Sequence, residues 1–440
     1  MHNNYVDNYK SFYFIGIGGV SMSSLAKLLL DIGKTVGGYD ANDGEYVREL
    51  KNLGVEIAIG SEEDNLELFD VVIYTDAIKE NDARLVKAKN LSKLILPRGQ
   101  FLREVSKLYK TVIAVSGCHG KTTCTSMLAH IFYAAGKSFT AHIGGCDLKF
   151  DNFYASGRDF FITEACEYKK NFLLLKPDIS VILNSDADHL ECYGSEEEVR
   201  KAYVSFAESS KISITLYGDL PTDMGVTFGY DRQADFYAKN IVSHSGKYEF
   251  ILCEKDKEFG KIRLNVYGKH NVINAVAAAA AARNAGISFE KIKEGLSGYS
   301  GVARRFEFLG KYNGAECIAD YAHHPNEIKA VLRTATKITE GKLFVIFQPH
   351  TYSRTKLLFK QFVSALSSQK ILLIYRTFAA REYFDDAGSA LTLSQSLKKS
   401  AYGDSPEDIM NFLSDAGEKD KVLFLGAGDI YYLAKSIVKD

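Results

Sequence analysis

Short runs of apolar residues, many of them β-branched, recur along the chain, and most are closed by glycine or by a cluster of polar side chains. They fall at residues 12–17, 35–39, 55–59, 71–75 and 94–96, then at 111–115, 160–163 and 181–183, and again at 317–321, 343–347, 371–374 and 422–425. Runs this short, bounded by turn residues, read as buried strands. The segments between them carry helical spacing. After residue 121 the apolar positions are Met127, Leu128, Ile131 and Phe132; residues 268–283 are an alanine-rich helix former, and a further helix is expected over 326–336. Strands alternating with helices predict an α/β fold with parallel sheets. At 440 residues the chain accommodates about three domains of roughly 150 residues. The boundaries expected are 1–107 (Rossmann-like), 108–299 (central, P-loop ATPase-like, mostly parallel sheet) and 300–440 (a second Rossmann-like unit). Residues 216–266, rich in strands and turns, are given a structural role.

The chemistry concentrates in T-V-I-A-V-S-G-C-H-G-K-T-T-C-T, residues 111–125. A strand, two glycines, Lys-Thr-Thr and a helix in that order make a phosphate cradle. Glycine lets backbone N–H groups approach phosphate oxygens, the helix N-terminus favours negative charge, lysine reaches the β/γ-phosphates, and a threonine hydroxyl is a ligand for Mg²⁺. Val115 stands where the longer motif has its first glycine, so this is a shortened form, G-x-x-G-K-T. The same residues would also serve as a plain glycine turn with a solvated lysine.

Glu164 closes the strand at 160–163, and Asp188-His189 follow the strand at 181–183. In open α/β sheets ligands collect outside the carboxyl ends of strands, so Lys121, Glu164 and Asp188-His189 are expected along one edge. Oxygen donors of this kind suit Mg²⁺. Ser195 to Glu198 reads as a capping box without catalytic work. Asn271 and Asn274, three apart on a helix, share a face and read either as a pair that meets a ligand or as helix capping. Near the N-terminus, residues 16–21, with the sequence G-I-G-G-V-S, lead into a helix, and the next strand ends in Asp40. That is a nucleotide-binding βαβ pattern with Ser21 in place of the third glycine, and by itself it fits an NAD site as well. His323-His324 is an unpromising metal pair, because neighbours on a strand point to opposite faces.

Bulk properties then remove classes. A net charge of −1 leaves no footprint for nucleic acid. Seven cysteines, an odd number without framework spacing, predict reduced thiols and a cytoplasmic setting. The polar opening M-H-N-N-Y-V-D-N-Y-K is unlike a signal peptide, and no uncharged stretch approaches the ~20 residues of a membrane span.

Taken together, S-G-C-H-G-K-T-T, D-H at 188–189, H-N-V-I-N, A-R-R-F-E, D-Y-A-H-H-P and Q-P-H-T-Y-S-R, with the opening G-I-G-G-V-S-M-S and the closing G-A-G-D-I, resemble the Mur ligases in identity and order, over nearly all of the 440 residues. The resemblance implies an ATP-dependent amide ligase. ATP phosphorylates the lactyl carboxylate of UDP-N-acetylmuramate, and the amine of L-alanine attacks the acyl phosphate. It implies catalytic roles for Lys121, Glu164, His189 and Arg305. ATP would meet Gly117, His119, Gly120, Lys121, Thr122, Thr123, Asn271, Asn274, Arg305 and Asp320. Mg²⁺ would be held by Thr122, Glu164 and His189. The UDP-sugar would meet Gly18, Gly19, Val20, Ser21, Asp40 and Arg98, which displaces the NAD reading. The amino acid would meet Tyr321, His323 and Arg354. A homodimer is carried as an expectation. The readings set against this one are a family member that ligates a recycled murein peptide, a silent UDP-sugar- or nucleotide-binding protein, and an NAD oxidoreductase. Three positions depart from the family pattern: Cys118 where threonine is expected, Cys166 within a loop expected to be more acidic, and Thr351 where arginine is common.

Overall fold

The structure, a computed structural model, describes residues 5–186, 190–221, 225–380 and 382–438, with only the backbone of Leu190 and Glu191. Its strands form three sheets. The first holds β1 (Ser11–Ile15), β2 (Thr35–Asp40), β3 (Glu56–Ile59), β4 (Val71–Tyr74) and β5 (Leu94–Pro97), in the order β3-β2-β1-β4-β5 with every pair parallel. The order reverses at β1, and the helix Val20–Asp31 starts there, directly after the glycine turn. Phe12, Phe14, Ile73 and the buried side of that helix make a continuous apolar core.

The second sheet has ten strands: β6 (Thr111–Ser116), β7 (Phe139–Asp147), β8 (Asp151–Ala155), β9 (Phe160–Glu164), β10 (Ile179–Ile182), β11 (Ile212–Leu216), β12 (Val226–Gly229), β13 (Phe236–His244), β14 (Lys247–Glu254) and β15 (Lys257–Tyr267). Its order is β15-β14-β13-β12-β11-β10-β6-β9-β7-β8, and β10, β6, β9 and β7 are parallel neighbours. The turn-rich stretch 216–266 is therefore the outer part of the central sheet. β7 and β8 pair antiparallel, and the apolar pattern of the sequence does not anticipate them. Against this sheet lie the helix Lys121–Ala134 and the alanine-rich helix His270–Asn284, whose Ala275 to Ala282 are all fully buried. Alanine leaves little side chain between backbones, so the two helices approach closely.

The third sheet comprises β16 (Glu307–Tyr312), β17 (Ala315–Asp320), β18 (Leu343–Phe347), β19 (Ile371–Tyr375), β20 (Ser400–Gly403) and β21 (Lys421–Leu425), ordered β16-β17-β21-β18-β19-β20. β16 pairs antiparallel with β17, the other pairs are parallel, and apolar clusters cover both faces.

By compactness the chain divides in two. One unit takes in the first two sheets, up to Val242 with Glu249–Asn265 and His270–Ser300. The other takes in Ser243–Tyr248, Val266–Lys269 and everything from Gly301 onward. Among the described residues no helix is long and apolar enough to cross a membrane.

Candidate active site

In the first unit, β6 and β9 pair in register, so the loop after Ser116 and the carboxylate of Glu164 lie side by side at the carboxyl edge. Gly117 (φ +135°) and Gly120 (φ +88°) turn the chain there, and Gly120 caps the helix that begins at Lys121. A side chain at Gly120 would also collide with Asn274, whose Oδ1 would be 2.5 Å from the added Cβ. Asn274 donates to Asn271 Oδ1 at 3.3 Å, and both amides are buried next to the loop. Asn271 is the second residue of its helix, which does not make it the cap. Asn184, after β10, clasps the loop from the other side: its Oδ1 accepts from His119 N and its Nδ2 donates to His119 O, each at 3.0 Å.

Lys121 turns back into this loop. Its ammonium donates to Gly117 O (2.6 Å), Cys118 O (3.2 Å) and Glu167 Oε1 (2.9 Å). Burial works against the charge, but Glu167, Cys166 and Glu164 outweigh it and hold the lysine pKa above its usual value. Tyr193 Oη anchors Glu167 by donating to its carbonyl at 2.5 Å. Thr122 and Thr123 occupy the next two positions of the helix. At the end of β9, Glu164 Oε1 accepts from Gly144 N at 2.6 Å. Behind the helix start, Asp147 accepts from Ser126 Oγ and lies 3.1 Å from His130 Nε2, locking the helix to β7.

At the switch point of the first sheet, the glycine turn spans Gly16 (φ +85°) to Gly19. Asp40 Oδ2 accepts from Gly18 N at 2.8 Å, so this acid holds the turn itself. Ser21 Oγ lies 2.9 Å from His142 Nε2 on β7. Val20 opens the helix, and Arg98 opens another directly after β5, with its charge felt at His142 and Cys166.

The second unit gathers a separate cluster at its strand ends. Asp320 is buried, and burial pushes its pKa up to about 6. Its two oxygens accept from Phe306 N and Ala322 N, both at 2.8 Å. This acid thereby clamps the A-R-R-F-E connection, in which Arg304 (φ +61°) and Phe306 (φ +52°) flank Arg305 in left-handed conformation. Strain of this kind costs of order 1–3 kcal/mol per residue and persists where the surroundings enforce it. Arg305 lies over the Tyr321 ring at 5.5 Å. Tyr321, His323 and His350 follow as ring neighbours, and Arg354 Nη1 donates to His350 Nδ1 at 3.1 Å. Burial, then the charge of Arg354, push the His350 pKa down to about 4; burial also lowers that of His323. Both rings are thus neutral near pH 7.

Comparison with known proteins fits this layout. Residues 11–110 match the Mur ligase family catalytic domain, 115–282 the Mur ligase middle domain and 304–428 the Mur ligase glutamate ligase domain. The UDP-N-acetylmuramate–L-alanine ligase of Clostridium acetobutylicum is 40% identical over 97% of both chains. The chain belongs to the Mur ligase family. The enzyme of that same name from Caldicellulosiruptor saccharolyticus is 38% identical over 95% of this Mur ligase and 96% of its own length. Among solved structures, a UDP-N-acetylmuramate–alanine ligase from Thermotoga maritima superposes with a TM-score of 0.85 at 29% identity, covering 97% and 98% of the two chains. A murein peptide ligase from Psychrobacter arcticus shares the fold, with a TM-score of 0.73 at 23% identity over 97% and 98% of the two chains.

Within this Mur ligase the structure brings the expected Gly117, His119, Gly120, Lys121, Thr122, Thr123, Glu164, Asn271 and Asn274 to one sheet edge, and Arg305, Asp320, Tyr321, His323 and Arg354 to another. Asp188 and His189 lie outside the described residues. Glu167, Asn184 and His350 are not singled out by sequence pattern. Only His350 carries a signal, four residues before Arg354 on the same loop-to-helix segment. Among the described residues no three His, Cys, Asp or Glu side chains form a metal cage. One hydroxyl, Thr122, and one carboxylate, Glu164, are hard oxygen donors. They fit Mg²⁺, which binds through one or two protein oxygens and takes the rest from phosphate and water.

Proposed function

We propose that this Mur ligase joins L-alanine to the lactyl carboxylate of UDP-N-acetylmuramate at the expense of ATP, in building peptidoglycan precursors. The observation that carries the reading is the glycine loop leading into the helix at Lys121 with Glu164 on the adjacent parallel strand, in a chain similar over nearly its whole length to enzymes of that name. The γ-phosphoryl group passes to the carboxylate, giving ADP and an acyl phosphate; the amine then attacks the acyl carbon, and phosphate leaves. The first step brings two anions together, so positive charge has to be prearranged. Lys121 supplies it from the loop, and Arg305 adds a second cation to the phosphoryl group. Mg²⁺, held by Thr122 and Glu164 with His189 as a further ligand, would neutralise phosphate charge. Gly117 and Gly120 offer backbone to the phosphates, His119 completes the loop with its own backbone held by Asn184, and Asn271 and Asn274 buttress that loop. Gly18, Gly19, Val20, Ser21 and Arg98 receive the UDP-sugar, with Asp40 shaping the turn. Tyr321, His323 and Arg354, joined by His350, receive L-alanine. Neutral rings at His323 and His350 leave Arg354 as the cation for the amino-acid carboxylate. The three domains proposed are 1–107, 108–299 and 300–440. The setting proposed is the cytoplasm, in keeping with seven cysteines that form no disulfide. A homodimer completes the reading and is tested by sedimentation.

The test is phosphate release with ATP, Mg²⁺ and UDP-N-acetylmuramate, adding L-alanine, glycine, L-serine or L-Ala-γ-D-Glu-diaminopimelate singly. Turnover led by L-alanine is expected. Turnover with the tripeptide alone would move the protein to peptide recycling, and silence with all four would refute ligation of these amines.

A further inference from the structure

His142 is assigned to no ligand above, yet it joins two elements that are. Its ring is 2% exposed, on β7, and both nitrogens are engaged. Nε2 lies 2.9 Å from Ser21 Oγ, 121 residues away beside the glycine turn, and Nδ1 lies 2.9 Å from Thr163 Oγ1. Thr163 immediately precedes Glu164 on β9, and its hydroxyl also lies 3.1 Å from Glu164 O. Two residues along β7, Gly144 N donates to the Glu164 carboxylate. Burial, and next the charge of Arg98, push the His142 pKa down to about 4, so the ring is neutral at pH 7 and offers one donor and one acceptor. Ser21 is half-buried, on the first turn of the helix that follows the glycine turn, and its hydroxyl meets the imidazole. An apolar ring would fill the space as well, since Phe161 already stacks there at 6.5 Å. The polar ring is distinguished by what it does to Ser21. A serine hydroxyl on a helix's first turn has several rotamers, and a bond to a buried, doubly held imidazole selects one.

We infer that His142 is a positioning residue that fixes the Ser21 hydroxyl toward the UDP-sugar and ties it, through Thr163, to the strand bearing Glu164. The inference rests on the proposed UDP-sugar site. It makes the two ligand-binding edges of the first unit one hydrogen-bonded construction.

The experiment is calorimetric titration of the intact protein with UDP-N-acetylmuramate, without ATP or amine. Ser21→Ala and His142→Phe are each expected to weaken binding about tenfold, the worth of one hydrogen bond to a ligand, and the double variant no further. The amide of glutamine reaches the place of Nε2 and can donate or accept, whereas asparagine reaches only the place of Nδ1. His142→Gln should therefore bind within about twofold of wild type, and His142→Asn should behave like His142→Phe. Thr163→Val, which cuts the far bond and keeps the side-chain shape, should weaken binding about threefold. Failure of the wild type to bind the UDP-sugar would refute the functional reading. Wild-type binding together with unchanged binding by His142→Phe, additive losses in the double variant, or equal affinities for the Gln and Asn variants would refute the positioning role alone. Should His142→Phe fail to fold, the Gln–Asn pair and Thr163→Val carry the same decision.

Discussion

Replacing Glu167 by glutamine tests how the loop before Lys121 is poised. The side chains of Lys121 and Glu167 are 17% and 6% exposed, with Nζ and Oε1 2.9 Å apart. At an effective dielectric of about 20, their gross attraction is about 6 kcal/mol. Removing one charge from a buried pair typically costs about 3–5 kcal/mol, because the partner stays buried and uncompensated. Here the ammonium keeps the carbonyls of Gly117 and Cys118 and gains an amide oxygen, so the expected loss is smaller, about 2–3 kcal/mol. In a unit of this size that lowers the thermal midpoint by roughly 3–5 °C. The lysine pKa is raised, so its stabilisation is fully present below the ordinary lysine value and is lost only as pH climbs past the folded-state value. A scan near neutral pH therefore sees all of it. ATP should reverse the deficit. Its phosphates supply the missing negative charge, and in the variant they no longer share Lys121 with a carboxylate. The ATP-induced rise in midpoint should exceed that of the wild type. An unchanged midpoint without nucleotide, or an equal ATP increment in both proteins, would refute this account of the loop.

Gly120→Ala places a side chain at φ +88° and 2.5 Å from Asn274 Oδ1; equilibrium binding should show ATP affinity reduced about tenfold or more, with UDP-sugar binding retained. Asp147→Ala leaves Ser126 and His130 buried without their acceptor and should cost about 2–4 kcal/mol in chemical denaturation. Burial opposes ionisation of Asp147, but His130 and Ser126 prevail and depress its pKa, so its contribution holds above the ordinary aspartate value and fades as pH falls through the lower folded value; the wild-type advantage should shrink in acid. Thr351→Gly relieves a β-branched residue at φ +65° and should stabilise the second unit, by about 1 kcal/mol, in calorimetry. Arg354→Ala removes the cation beside His350, so that histidine, still held down by burial, should titrate above its wild-type value in NMR, while alanine-dependent turnover falls.

What could be read from the sequence was local. The strand, glycine turn and helix around Lys121 were legible because their residues are consecutive, and their order alone carries the geometry. The parallel sheets were legible because buried strands appear as uninterrupted apolar runs. β7 was not, because Phe139–Asp147 is broken by His142, Gly144, Gly145 and Cys146 and is held by partners that sequence distance conceals. Glu167 was hidden similarly: it meets Lys121 across 46 residues, and the chain beyond it takes two left-handed residues, Lys169 and Lys170, that no composition rule anticipates.

The strand-end acids show a deeper limit. Asp40 and Asp320 sit where a ligand-binding carboxylate belongs, yet one holds Gly18 N and the other holds Phe306 N and Ala322 N. A carboxylate that shapes a ligand loop and one that touches the ligand need the same position, at the end of a strand beside unsatisfied backbone donors. Sequence pattern selects that position and cannot divide the two roles. A census of hydrogen bonds can. Asp320 has an oxygen on each of two backbone donors, so its loss should act first on the Arg304–Phe306 turn and only through it on Arg305. An Asp320→Asn variant keeps one acceptor, and its amide would have to face a backbone N–H with its own. It should therefore loosen the turn, lowering the thermal midpoint of the second unit together with turnover. An acid acting on the ligand alone would lower turnover and leave that midpoint where it was.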